Sequence, residues 1–330
     1  MKGKIRPELA PQGTRIRVGI SSCLLGERVR YDGGHKLDTL ITHILGRLFE
    51  WVPVCPEMEI GLGAPREALR LVGGRNAPPR LVAQHSGLDH TQMMAGWAER
   101  RLDEIGGAGL HGFVLKSKSP SCGFEAVRVH AVRSASRRSD RGIFTAAIVR
   151  RFPHLPAADE IRLRDAGTRD NFVERVFAHH RWTMFLRSRP GPEDLERYHS
   201  SHRLLLMSHG ITHYRALGRV VAGATHRRIG GVLREYEERC MEALRVKATR
   251  KRHALVLRYV SRNLRRHLDA TDLTELDGSI DAYQAGMMPL NAPLTLVRHH
   301  LRRHPVDWLS EQTYLNPPGS HADSIIVSAL

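Results

Sequence analysis

The hydrophobic period of this chain changes once, near residue 160, and that change divides what the chain can fold into. From Arg15 to about Phe152 short apolar runs alternate with helical ones: Ile16 to Ile20, a helix near Thr39 to Phe49, Val52 to Val54, a helix from Thr91 to Ile105, then Gly112 to Leu115. This alternation predicts an α/β N-terminal domain with a mainly parallel sheet, because parallel strands need helical crossovers. Arg133 to Arg141 contains no hydrophobe larger than Ala and reads as a loop, while Ile143 to Arg151 suits either a strand or a short helix. Pro153 to Ala158 reads as a link. Beyond it the period is helical throughout. Thr168 is the expected cap of a helix carrying Phe172, Val176 and Phe177; Gly191-Pro192-Glu193-Asp194 opens another toward Met207; further helical stretches reach His267, then Ile280 to Ala285 and Leu294 to Arg303. The expectation is two domains, an α/β one over 15–158 and an all-α one over 160–330, with no internal repeat.

No apolar run approaches the roughly 18 residues of a membrane helix. Lys2, Lys4, Arg6, Arg15 and Arg17 break up the start of the chain, so the expectation is a cytoplasmic protein without a membrane partner. Cys23, Cys55, Cys122 and Cys240 are too few for a disulfide scaffold and read as thiols or metal ligands. The formal charge of +17 points to a polyanionic partner. A GC-rich genome would also enrich Arg, so the pattern of the charges has to decide. Residues 1–160 carry 24 basic against 16 acidic side chains and residues 161–330 carry 27 against 18, so both domains would face the anion.

Three of the cysteines each follow an expected strand. Cys23 lies in SSCLLGERVRYDGGHK, Cys55 in CPE after Val52 to Val54, and Cys122 in KSKSPSCG after Phe113 to Leu115. Parallel strands bring their carboxyl ends to one edge of a sheet, where α/β proteins build sites, so the three can converge. Three unrelated buried thiols are the alternative, since no CxxC pair occurs. Converging thiolates would suit a zinc ion completed by water or a 4Fe-4S cluster with one iron lacking a protein ligand. Cys240, within VLREYEERCMEAL, reads as a helical core thiol.

These motifs resemble a known family. SSCLLGERVRYDGGHK, CPEMEIGLGAPREALRLV and KSKSPSCG, in that order over about residues 15–155, are similar to the DUF523 family, which includes the thiouracil desulfurases. In the second half HRLLLMSHGITHYRALGRVVA, PLTLVRHHLRRHP and WLSEQTYLNP resemble the DUF1722 domain, with a departure at Pro317-Pro318-Gly319, where that family tends to continue Pro-Tyr-Pro. The resemblance implies that Cys23, Cys55 and Cys122 hold a 4Fe-4S cluster whose fourth iron takes sulfur from a thiocarbonyl, and that Glu57 and Ser119 are catalytic. The residue types suit that chemistry. A carboxylate can move the proton of an attacking water, and a serine hydroxyl can hold a pyrimidine edge or the water. Glu57 could instead cap its turn and Ser119 could merely stabilise a Ser-Pro-Ser turn. Asp32 and Lys116 are further substrate-binding candidates, each with a plain alternative as a turn residue and a solvated charge.

Between Arg245 and Arg266 stand nine Lys or Arg residues and no acid. On a helical wheel Lys247, Lys251, Arg258, Arg262 and Arg265 share one side while Val246, Leu257, Val260 and Leu264 share another, which would give a packed face and a cationic ridge. His299, His300 and His304 near Arg302 and Arg303 read as phosphate contacts or plain surface rather than a metal cluster. A desulfurising cluster beside a basic helical domain makes a thiolated base within RNA the expected substrate, 4-thiouridine in tRNA first. A desulfurase of free thiouracil-type bases, or a non-enzymatic RNA-binding protein with a structural metal, are the other readings.

Overall fold

The computed structural model describes residues 16–74, 78–130 and 138–316. The basic start of the chain, residues 133–137 of the expected loop and the Pro317–Gly319 departure lie outside them. The described residues form two compact units, 16–180 and 181–316.

The first unit carries two four-stranded sheets. One is wholly parallel, in the order β2-β1-β5-β8, and takes β1 (Ile16–Ser21), β2 (Phe49–Val54), β5 (Phe113–Leu115) and β8 (Ala157–Asp159). The other, β4-β3-β6-β7, is mixed and takes β3 (Leu69–Val72), β4 (Arg80–Ala83), β6 (Val127–His130) and β7 (Arg138–Asp140). Helices α1 (Pro56–Glu59), α2 (Thr91–Ala108) and α3 (Ile143–Arg151) complete the pattern, and α4 (Ala166–Arg187) runs through the division between the units. The parallel sheet is buried on both faces, as such sheets require. On β5, Val114 joins a core with Val18, Ile20, Phe49 and Phe172, while Phe113 and Leu115 join the opposite one with Trp97, Leu102 and Phe144. Gly19 on β1 permits this: a Cβ there would lie 2.4 Å from the Phe113 ring.

Several local expectations give way. The helix near Thr39 to Phe49 is two short turns, Leu40–Ile44 and Leu45–Arg47, followed at once by β2. Ile41 and Leu45 sit four apart and face the core like one helical turn, but Phe49, next in that series, pairs with Ile16 in the sheet. The stretch read as a link ends in a strand, since Ala157–Asp159 pairs with Phe113–Leu115. The expected loop holds β7, whose partner Val127–His130 fixes it. Ile143–Arg151 is a helix. Thr168 is not the cap: helix α4 begins at Ala166, and Asp165 accepts the Thr168 N–H at 2.8 Å.

The second unit is helical: α5 (Pro192–Ser201), α6 (Arg203–His209), α7 (Ile211–Ala222), α8 (Ile229–Arg245), α9 (Arg250–Leu264), α10 (Ala270–Ala285), α11 (Asn291–Arg303) and α12 (Asp307–Ser310). Cys240 is buried on the face of α8 that also buries Val232, Tyr236 and Met241, and burial pushes its thiol up to about 12, as a core thiol would be. No helix among the described residues is long and apolar enough to cross a membrane.

The cationic ridge is shorter than the wheel suggested. Lys247 precedes the helix, because Thr249 caps α9 by accepting the Arg252 N–H. Arg258 is bound to Asp281, at 2.6 Å, and to Gln284, both on α10. Lys251 and Arg262 on α9, with Arg265 at its end, remain exposed. His300 also departs from the surface reading. It is 1% exposed, with its Nδ1 3.9 Å from Asp272, because α11 turns that side toward α10.

Candidate active site

In the parallel sheet the strand order reverses between β1 and β5: β2 follows β1 in the chain but lies on its other side. Crevices at the carboxyl ends of strands at such a switch point are where open α/β sheets bind ligands. Every strand of this sheet leads, at that end, into a cysteine or a carboxylate. Cys23 lies two residues past β1, Cys55 one past β2, Cys122 in the loop after β5, and Glu160 one past β8.

Each cysteine is fixed by its own backbone device. Cys23 sits in the short turn Ser22–Leu25, and its carbonyl accepts the Lys36 N–H at 2.9 Å, which folds the 26–36 loop back onto it. Cys55 is the N-cap of α1, and its N–H donates to Glu59 Oε1 at 3.1 Å. Cys122 ends a tight turn in which Ser119 Oγ accepts the N–H groups of Ser121 (3.2 Å) and Cys122 (3.0 Å). Gly142 presses against this turn, where a Cβ would lie 2.4 Å from the Ser121 carbonyl oxygen.

The thiols of Cys23 and Cys122 are buried and that of Cys55 is half-buried. Burial pushes Cys23 up to about 11, with the charge of Cys55 adding to it. Burial likewise raises Cys55, and raises Cys122 strongly, against a hydrogen bond from Ser21 that pulls the other way. Cys122 also feels both Cys55 and Cys23, so the three form one electrostatic group, as their shared strand edge predicts. Three such thiols suit a cationic metal group, whose charge would draw off the protons that burial keeps on sulfur.

Glu57 lies in α1, two residues after Cys55. Arg66 holds its Oε2 through Nε, at 3.0 Å, and through Nη2, while Ser121 Oγ donates to Oε1 at 2.8 Å. Lys116, at the end of β5, pairs with the buried Glu160, which also accepts from the N–H and hydroxyl of Ser117 at 2.7 and 2.6 Å. Burial alone would raise Glu160, but the Lys116 and Ser117 donors outweigh it and hold the carboxyl below its ordinary range. Asp32 stands apart as an exposed turn residue that accepts the Gly34 N–H at 3.0 Å and pairs with Arg30.

The structure therefore brings Cys23, Cys55, Cys122 and Glu57 together, gives Ser119 a turn-forming hydrogen bond, and ties Lys116 to Glu160. Sequence reasoning missed Arg66, Ser121 and Glu160. Arg66 and Ser121 lie inside the quoted motifs, where a charged or hydroxyl residue flanked by Gly or Pro was the available signal.

A family model for 2-thiouracil desulfurase matches residues 18–160, a span that holds all three cysteines and all four parallel strands except the first residues of β1. YbbK of Bacillus subtilis (strain 168), an uncharacterized protein, is 32% identical over 109 residues, which cover 32% of this chain and 71% of that one. The chain belongs to the 2-thiouracil desulfurase family. Its second half matches a family of proteins of unknown function, DUF1722, over residues 203–318. YbgA of Escherichia coli (strain K12), also uncharacterized, is 32% identical over 146 residues, 44% of this chain and 86% of that protein. Among solved structures, the [4Fe-4S]-dependent thiouracil desulfidase TudS is 30% identical, with 46% of this chain and 95% of that chain covered, at a TM-score of 0.37. Membership of the desulfurase family makes this chain an enzyme of the thiouracil desulfurase type, built with an added DUF1722 part.

Proposed function

We propose that the protein is a 4Fe-4S-dependent desulfurase that replaces the thiocarbonyl of a thiolated pyrimidine by a carbonyl and releases sulfide, with 4-thiouridine in tRNA as its substrate. The observation that carries the reading is the placement of three cysteines just past three strand ends on one edge of the parallel sheet, with the fourth cysteine spent in the core of α8. Three thiolates suit a 4Fe-4S cluster with one iron lacking a protein ligand, whereas a structural zinc ion normally takes four protein ligands. The cluster, held by Cys23, Cys55 and Cys122, would supply an open iron as Lewis acid for the sulfur.

The protein's own part is water, proton and base. The net change is C=S plus water to C=O plus hydrogen sulfide, with no electron gained or lost. Glu57 accepts the proton of the attacking water and returns one to the leaving sulfide. Its two-sided support by Arg66 and Ser121 keeps the carboxylate aimed. Ser119 Oγ already accepts two N–H groups, so its own proton is left to donate toward the pyrimidine edge. Lys116 pairs with Glu160 beyond the ends of β5 and β8.

A free base gives no use for a charge of +17, whereas an RNA backbone does. On α9, Lys251, Arg262 and Arg265 face solvent with no acid in the helix sequence, and they supply the phosphate contacts in this reading. Incubation of anaerobically purified protein with bulk tRNA tests it. The expected result is loss of the near-ultraviolet 4-thiouridine band with release of sulfide. Turnover of free 4-thiouracil alone, with tRNA untouched, would leave the chemistry and remove the polymer.

A further inference from the structure

The side chain of Arg66 is 7% exposed and that of Glu57 14%, and the contact between them is more than a charge pair. Its Nε and Nη2 both bind one oxygen, Oε2. Its Nη1 donates to the carbonyls of Val29, at 2.9 Å, and Gly63, at 2.6 Å, and its own backbone N–H donates to Tyr31 O at 2.8 Å. Four donors of a rigid planar fork are thereby spent, so the fork cannot rotate without breaking several bonds. The other carboxylate oxygen, Oε1, meets only a neutral partner, the hydroxyl of the fully buried Ser121, next to Cys122.

We propose that Arg66 is the positioning residue of the reaction: it pins Oε2 of Glu57 so that Oε1, beside the Cys122 turn, is the oxygen presented to the attacking water. This inference rests on the desulfurase reading. In the step, a water O–H bond breaks as the oxygen bonds the thiocarbonyl carbon, and the proton passes to Oε1. Ser121, until then a donor to Oε1, rotates to accept it, which a hydroxyl can do and an ammonium or guanidinium cannot. That proton passes to the sulfur as the C–S bond breaks, and the second water proton passes from the new hydroxyl to the sulfur as the carbonyl forms, so hydrogen sulfide departs and Glu57 ends as it began. Oε2 already accepts two N–H groups of Arg66, whereas Oε1 accepts one hydroxyl, which leaves Oε1 as the oxygen open to a further donor. Arg66 thus decides which oxygen works. A lysine in its place would keep the charge but, with three donors on one nitrogen, could not grip Oε2 with two N–H groups while holding both carbonyls.

Arg66 also joins the 26–36 loop to α1, so a merely structural role has to be separated. A double-mutant cycle does so. With tRNA or free thiouracil as substrate, Arg66→Gln and Arg66→Lys are expected to lower kcat on the order of 10²-fold and 10-fold, as a misplacement of about 1 Å can, with KM little changed. Added to Glu57→Gln, Arg66→Gln should cost almost nothing more, because its effect passes through Glu57. Iron content should stay at the wild-type level in each variant, and a crystal structure of Arg66→Lys should show the Glu57 carboxylate turned or shifted. An additive loss in the double variant, iron lost in proportion to rate, or an unmoved Glu57 in a slow Arg66→Lys protein would each overturn the proposal. Should Arg66→Gln fail to fold, Arg66→Lys and Ser121→Ala carry the same cycle. A Glu57→Gln protein with the wild-type rate would mark the different failure, that of Glu57 as the base.

Discussion

At the strand ends of residues 16–180 two carboxylates are held by cations, Glu57 by Arg66 and Glu160 by Lys116, whereas among the described residues of 181–316 the buried polar side chains are histidines, serines and a glutamine. Each of these two carboxylates has donors on both oxygens, which fixes its orientation. In the second unit burial removes charge: His199 and His202 are pushed down to about 4 and about 3 by desolvation, and the cations stay outside. The contrast separates a strand edge whose carboxylates are aimed by fixed donors from a helical unit whose buried histidines are neutral while Lys251, Arg262 and Arg265 are exposed.

The comparison breaks most visibly at the cysteines. Replacing Cys23, Cys55 or Cys122 by Ala should abolish desulfurase activity and the visible cluster absorbance, while Cys240→Ala, in the neutral core of α8, should keep both. Glu57→Gln comes next: it keeps the shape but cannot accept a proton, so a folded protein with full iron should lose on the order of 10²-fold or more in kcat. Retention of rate would transfer the proton to water.

The exterior of the second unit is tested through salt. Replacing Lys251, Arg262 and Arg265 together by Gln should weaken tRNA binding and flatten the slope of log affinity against log salt by about two units, at somewhat under one per phosphate contact. Turnover of a free thiolated base should not change, since it carries no phosphate. Arg258 is left out because Asp281 already holds it.

The smallest effect concerns the neutral buried histidines. A histidine whose folded value is depressed takes no proton until the pH falls to that value, whereas the unfolded chain takes one near 6.5. Stability should therefore fall as pH drops from about 6.5 toward 4, by about 1.4 kcal/mol per pH unit for each such histidine. His199, His202 and, in the first unit, His179 contribute in that direction. Urea unfolding between pH 7 and 5 should show His202→Asn with a slope shallower by about one proton.

What was legible in the sequence follows from what is local. Cys23, Cys55 and Cys122 each follow an apolar run, so their shared edge could be read from parallel pairing alone. The mixed sheet could not. Val127-Arg128-Val129-His130 and Arg138–Asp140 are too short and too charged to stand out, and become strands through pairing with each other and with Leu69–Val72. The partners of the site were hidden for the same reason: Ser121 reaches Glu57 across 64 positions and Glu160 reaches Ser117 across 43. The ridge on α9 was overdrawn because Asp281, 23 positions on, neutralises Arg258, and because Thr249 starts the helix after Lys247.

Metal analysis of the anaerobically purified full chain tests the central claim most directly, since it asks what three strand-end thiols hold. The account predicts about four iron and four acid-labile sulfide per chain, as a 4Fe-4S cluster requires, falling to near zero in Cys55→Ala. One zinc per chain, or an iron content that Cys55→Ala leaves unchanged, would contradict it.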